Sequence, residues 1–170
     1  LIITMGDPTG VGPEIIIRAV YEGAFTDLAR PLIVAGDLGV LKRAAAVCGC
    51  DVQHQRGSSS SLATDELVVG GHRLPVQALS QLDLSVQGFG QPQISSGRAM
   101  ADYIEWACDA CVAGDVAGMV TAPINKEVLR AAGVSFPGHT ELLADRCEVD
   151  EVVMMLAGER LRVCLVTTHC

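Results

Sequence analysis

Four stretches of the 170-residue chain gather residue types that handle anions, hydroxyl groups or metal ions. The first is Gly6-Asp7-Pro8-Thr9-Gly10-Val11-Gly12-Pro13-Glu14. Its glycines let a backbone approach a ligand closely, and the helix that follows offers free N–H groups and a positive dipole end to a negative charge. Gly10 and Gly12 are the residues there that would touch a dinucleotide. A dinucleotide fingerprint needs a third glycine, and Pro13-Glu14-Ile15 stands in its place; no Gly-Lys-Ser/Thr completes a phosphate loop either. A tight strand-to-helix turn accounts for the run equally well.

The second stretch is Thr121-Ala122-Pro123-Ile124-Asn125-Lys126, where a strand ends and Pro forces an extended turn. Polar groups then sit at the carboxyl edge of a sheet, where open α/β folds bind ligands. Asn125 can hydrogen-bond a hydroxyl, and Lys126 can pair with a carboxylate or phosphate. Taken alone, the two read better as an N-cap and a solvated lysine. The third, Pro137-Gly138-His139-Thr140-Glu141, sets His139 just before a helix N-terminus, where its imidazole, the Thr140 hydroxyl and free N–H groups can hold an anionic or hydroxylated ligand. The competing reading is a helix cap, with Thr140 capping and His139 exposed. The fourth, Thr167-Thr168-His169, puts a histidine at a strand end, a natural position for a metal ligand or base. One histidine makes no metal site, and no second one lies at ligand spacing.

Seven cysteines are an odd number in a chain large enough to fold without staples, which points to reduced thiols in a cytoplasmic protein. Cys108-Asp109-Ala110-Cys111 lies late in a long helix, one turn apart on its inner face, so packing explains it better than zinc or redox chemistry. His54 and His72 fall in weak strands without evident partners.

The elements that must position these groups alternate. Leu1–Met5 is a strand and Pro13 opens a helix to about Glu22. Pro31–Ala35 is a strand, and Leu38–Val47 a helix closed near Gly49. Asp51–Gln55 is a weak strand, and residues 66–79 hold a hairpin turning at Gly70-Gly71. Ser95 is placed to cap the longest helix, Ser96–Ala113, whose buried face carries Met100, Tyr103, Ile104, Ala107 and Cys111. Strand Val116–Thr121 follows, then short helices Lys126–Ala132 and Thr140–Arg146, then a hairpin of Glu151–Ala157 and Leu161–Thr167. The pattern predicts α/β, a mostly parallel sheet with flanking helices and an antiparallel element near the end.

Composition agrees. Hydrophobic residues make up 49 % and aromatics only 4 %, which suits helices on a buried sheet. The net charge of −8, with no basic stripe, excludes nucleic acid as a partner while leaving room for a small anion. No apolar run is long enough to span a membrane, and no secretory leader is visible. The chain starts at Leu1 and stops just after a strand at Cys170, so residues are expected to be missing in front and a continuation behind.

In this order the motifs, with Ile3-Thr4-Met5 before the first, Val153-Met154-Met155-Leu156 before the last and Cys108-Asp109-Ala110-Cys111 between, resemble the 4-hydroxythreonine-4-phosphate dehydrogenase family. The resemblance covers essentially the whole chain. It implies an isocitrate/isopropylmalate-dehydrogenase-like two-domain fold whose C-terminal half is missing, with residues 1–120 a portion of the first domain and 121–170 the start of the second. It also implies a cytoplasmic homodimer that uses NAD or NADP to oxidise a secondary alcohol beside a carboxylate, with decarboxylation. A divalent metal (zinc, magnesium, manganese or cobalt) holds the hydroxyl and polarises the ketone formed. By motif, His139 and Thr140 match the substrate-binding pair and His169 the first metal ligand. The other two metal histidines belong to the family's C-terminal half, so this chain alone makes a doubtful catalyst. Enzymes of the vitamin B6 route often carry His where this chain has Asn125, and the Asn form resembles the branch acting on threonate or erythronate 4-phosphate. Two alternatives stay open: a same-fold dehydrogenase of an unphosphorylated diol, whose family members lack the His-Thr pair, and a truncated, non-catalytic binding or dimerisation module.

Overall fold

The computed structural model describes residues 1–136 and 138–166. A six-stranded sheet forms the centre, in the order β3-β4-β5-β2-β1-β6. These strands are β1 (Ile2–Thr4), β2 (Ile33–Asp37), β3 (Val52–Arg56), β4 (Asp65–Val69), β5 (His72–Ser80) and β6 (Met119–Thr121). Strands β5, β2, β1 and β6 run parallel, with Ile2 level with both Ile33 and Met119. Strands β3 and β4 fold back antiparallel beside β5, so the antiparallel part of this sheet lies mid-chain. Every residue of β2 is buried, which is why its sequence is a continuous small and apolar run and does not alternate.

Helices α1 (Gly12–Tyr21) and α2 (Leu38–Cys48) pack on each other, and α3 (Ile94–Val112) packs across β1, β2, β5 and β6. Chain direction explains the split. The first two crossovers step one way along the sheet and the third steps back, so right-handed connections put α3 on the opposite face. The core between these layers contains Ile2, Ile17, Val34, Leu41, Leu67, Leu74 and Tyr103. Full burial of one such aliphatic side chain contributes about 1.5–3 kcal/mol. A second cluster, Met100, Ala101, Ile104, Leu129, Val134 and Leu142, seats α4 (Lys126–Ala131) and α5 (His139–Arg146) on α3.

Several boundaries differ from expectation. Helix α3 starts at Ile94 after an N-cap at Gln93, whose N–H donates to the Ser96 hydroxyl at 2.9 Å. Ser95 instead accepts from the Gln87 amide at 2.7 Å, a partner eight residues away that local pattern does not reveal. Strand β6 is only three residues long, because the segment after α3 is spent on a turn through Gly114. The final hairpin exists but is short, β7 (Met155–Ala157) with β8 (Arg162–Cys164), forms its own two-stranded sheet, and leaves its apolar residues exposed. His54 does have partners: its Nε2 lies 2.7 Å from Asp65 and its Nδ1 3.0 Å from the Lys42 ammonium. No helix among the described residues is long and apolar enough to cross a membrane.

Candidate active site

The loop that leaves β1 is held from several sides. Gly6 has φ +73°, and a Cβ there would lie 2.4 Å from the Pro123 carbonyl oxygen, so only glycine lets the β1 and β6 loops meet. The Asp7 N–H donates to that same oxygen at 2.9 Å. One Asp7 carboxylate oxygen accepts from the Thr9 N–H at 2.8 Å and the Thr9 hydroxyl at 2.9 Å. From the far side, Arg43 donates to the Pro8 carbonyl at 2.9 Å while its guanidinium stacks over Phe89, 4.6 Å from the ring centre.

The two glycines expected to touch a dinucleotide are occupied inside this loop. A Cβ on Gly12 would sit 2.3 Å from the Met5 carbonyl oxygen, and one on Gly10 would press on the Asp7 side chain at 3.3 Å. The turn itself requires the small size of Gly12 and favours that of Gly10, whatever binds beside it. The N-cap of α1, Val11, has no side-chain hydrogen bond and is exposed, so that helix end stays open to an anion.

Across the sheet edge, Asn125 caps α4: its side-chain oxygen accepts from the N–H groups of Glu127 and Val128 at 3.1 and 3.2 Å. That realises the structural reading of Asn125 and leaves its amide nitrogen for a ligand. Lys126 is exposed, and its ammonium and a Glu141 carboxylate oxygen both lie over Gly138, 3.6 and 3.5 Å from where a Cβ would stand. Gly138 is the N-cap of α5, and His139 its first helical residue. Thr140 therefore does not cap, and His139 is not free in solvent. The His139 Nε2 is buried without a hydrogen-bond partner among the described residues. Burial and, next, the Lys126 charge push the His139 pKa down, so near neutral pH its ring is uncharged.

Asp7, Gly10, Val11, Pro123, Ile124, Asn125, Lys126 and Glu127 line a crevice of about 440 Å³. It opens at the carboxyl ends of β1 and β6, where the chain direction along the sheet reverses; such switch points are where open α/β sheets bind ligands. A further cavity of about 490 Å³, among Phe25, Leu32, His72, Leu74 and Pro75, contains none of the residues given a site role by sequence. Asp7, a buried carboxyl at the crevice wall, was not picked out as a residue of its own; its only signal was its place between a strand end and Pro8. His169, with Thr167 and Thr168, lies outside the described residues. Among the described residues no group of three or more His, Cys, Asp or Glu side chains could hold a metal ion.

A sequence model of the pyridoxal phosphate biosynthetic protein PdxA family matches residues 27–170. The chain belongs to that family. A PdxA-family relative from Trichlorobacter lovleyi, named 4-hydroxythreonine-4-phosphate dehydrogenase, is 46 % identical over 167 residues, covering 98 % of this chain and 48 % of the relative. One from Oceanobacillus iheyensis, with the provisional name D-threonate 4-phosphate dehydrogenase, is 34 % identical over 171 residues, covering 98 % of this chain and 49 % of its own. The crystal structure of a 4-hydroxythreonine-4-phosphate dehydrogenase from Burkholderia phymatum superposes with a TM-score of 0.84 at 35 % identity, over 99 % of this chain and 49 % of that one. The chain thus spans about half the length of the PdxA-family relatives it matches. The mixed α/β fold with a mostly parallel sheet and flanking helices is the one these comparisons support.

Proposed function

We propose that the protein containing this chain is a dehydrogenase that oxidises the secondary alcohol of a small 4-phosphorylated hydroxy acid, with decarboxylation. The observation that carries this reading is the meeting of the Lys126 ammonium, the Gly138 backbone and the His139 Nε2, which has no partner among the described residues. A phosphate or carboxylate that displaces the Glu141 carboxylate there meets the Lys126 ammonium and the N-terminal end of α5. Neutral His139 and the Thr140 hydroxyl bind the substrate's oxygens, and the free amide of Asn125 donates to a hydroxyl. Because His139 is uncharged, it holds an oxygen without adding a second full charge beside Lys126.

NAD or NADP, when bound, supplies the hydride acceptor; the open N-terminus of α1 beside Gly10 and Gly12 suits one of its phosphates. A divalent ion (zinc, magnesium, manganese or cobalt) would take His169 as one ligand, and the described residues provide no group of three further His, Cys, Asp or Glu side chains to hold it. Asn125 points to threonate or erythronate 4-phosphate, the kind of substrate named for the Oceanobacillus iheyensis relative, while the more similar Trichlorobacter lovleyi relative is named for 4-hydroxythreonine 4-phosphate, so all three acids belong to the proposal. The homodimer belongs to the same proposal, as does the assignment of residues 121–170 to a second domain.

The test uses the full-length protein. NAD(P)+ reduction is followed with the three 4-phosphorylated acids and with their unphosphorylated counterparts, before and after chelation. Phosphate-dependent, chelator-sensitive turnover is expected, and Lys126→Met should raise KM for the phosphorylated acid about tenfold or more, the loss of one charge-assisted contact. Equal turnover of the unphosphorylated acids, or a rate indifferent to chelation, would overturn the proposal.

A further inference from the structure

Two thiols meet where α5 rests on α3. Cys108, late in α3, is 2 % exposed. Cys147, the C-cap of α5, is exposed, and its Sγ lies 3.7 Å from that of Cys108. Their sequence neighbours fix the approach: Arg146 donates to both carboxylate oxygens of Asp109, at 2.6 and 2.5 Å, so a two-pronged ion pair clamps the helices beside the sulfurs. Cys111 stands one turn further along α3, half-buried.

We propose that Cys108 and Cys147 are a reversible oxidation site, at which a hydroperoxide converts the two thiols into a disulfide that ties the end of α5 to α3. The first step belongs to Cys147, the sulfur that solvent reaches. Its thiolate attacks the peroxide, the O–O bond breaks, and a sulfenic acid forms with release of water or alcohol. The Cys108 sulfur then attacks the Cys147 sulfur, the S–OH bond breaks, and the Cys108 proton leaves with the hydroxyl as water. Two electrons pass in all, one from each sulfur, to the peroxide oxygens.

Burial and the contact with Cys147 push the Cys108 thiol up to about 11. That keeps Cys108 from reacting with peroxide first and assigns it the second, resolving role, where a partner already 3.7 Å away replaces a bimolecular encounter. The consequence reaches the candidate active site, because α5 is a single eight-residue helix whose other end begins with His139 and Thr140. Fixing its C-cap restrains the helix that presents them. The oxidation itself does not depend on the proposed activity.

The full-length protein is treated with near-stoichiometric hydrogen peroxide, alkylated and analysed by intact and peptide mass spectrometry. Expected are loss of the two thiol hydrogens, a peptide pair joined through Cys108 and Cys147, recovery with dithiothreitol, and slower amide exchange across α5 in the oxidised form. Cys147→Ser should abolish the link and Cys111→Ser should retain it. Cys147 driven to sulfinic acid while Cys108 still alkylates, or a link through Cys111 in place of Cys108, would overturn the proposal.

Discussion

A single methyl group at position 97 should move α4 and, with it, Asn125 and Lys126. Gly97 lies in the first turns of α3, and a Cβ there would stand 2.3 Å from the Val128 carbonyl oxygen and 2.8 Å from the Ala132 Cβ. Non-bonded heavy atoms prefer about 3.5–4 Å, so Gly97→Ala demands a separation of roughly 1 Å between the two helices. The obstructing atom is backbone, which cannot rotate away. Overpacking of this kind costs about 1–3 kcal/mol, while exchanging Gly for Ala inside a helix returns up to about 1 kcal/mol. With a backbone oxygen only 2.3 Å away the upper part of that cost, about 2–3 kcal/mol, applies, and the net expectation is a loss of about 1–2 kcal/mol, opposite in sign to Gly→Ala at an exposed helix site. Urea unfolding of the full-length protein measures it, with Gly118→Ala as a control: a Cβ there meets nothing within 4 Å. Steady-state kinetics should show a raised KM for the phosphorylated substrate, since Lys126 is the first residue of the displaced helix. A Gly97→Ala protein as stable as its parent, or more so, would refute the claim that close backbone approach at this residue sets the position of α4.

Asn125→Ala should destabilise by about 1 kcal/mol through loss of the cap, and Asn125→Ser should restore most of it; a rate or KM defect that persists in the serine variant would expose the separate contact of the Asn125 amide with substrate. His139 has a folded-state pKa below its ordinary 6.5, because burial and Lys126 disfavour the charged ring. Its neutral form costs nothing above that value. As the pH falls through about 6.5, the unfolded chain takes up a proton that the folded one resists, so stability drops. His139→Gln should flatten the stability profile between about pH 7 and pH 5, and an unchanged slope there would show that the ring is not desolvated.

Most of the scaffold was readable in the sequence because its signals are local. Pro13 opens α1, Gly49 closes α2 in a left-handed conformation, and Gly70-Gly71 turns the β4–β5 hairpin. The side-chain period of α3 picked out Met100, Tyr103, Ile104 and Ala107 correctly as core. What the sequence hid was set by distant partners. Gln87 takes Ser95 out of the capping role, Lys42 and Asp65 come to His54, and Cys108 meets Cys147 from thirty-nine residues away. In the candidate site, the approach of Lys126 to Gly138, just before His139, is not encoded by their spacing along the chain.

The chemistry of the crevice is best read by removing the groups that the fold already uses. Gly6, Gly10 and Gly12 serve the turn, one Asp7 oxygen serves Thr9, and the Asn125 oxygen serves the first turn of α4. What remains at the crevice is the Lys126 ammonium, the Asn125 amide donor and the open end of α1, beside the second Asp7 oxygen and the Glu127 carboxylate, with the His139 nitrogen and the end of α5 adjoining. A cation and donors thus stand among carboxylates, in a chain whose net charge is −8. The charge of this chain gives an anion no long-range attraction, so short-range contacts at this edge must hold it against the field of these residues. A ligand with one strongly charged terminus and several hydroxyls meets that requirement, whereas an uncharged diol would leave Lys126 and the end of α5 unused. It follows that added salt, which screens the repulsive field more than the contacts made inside the crevice, should improve capture of a phosphorylated acid.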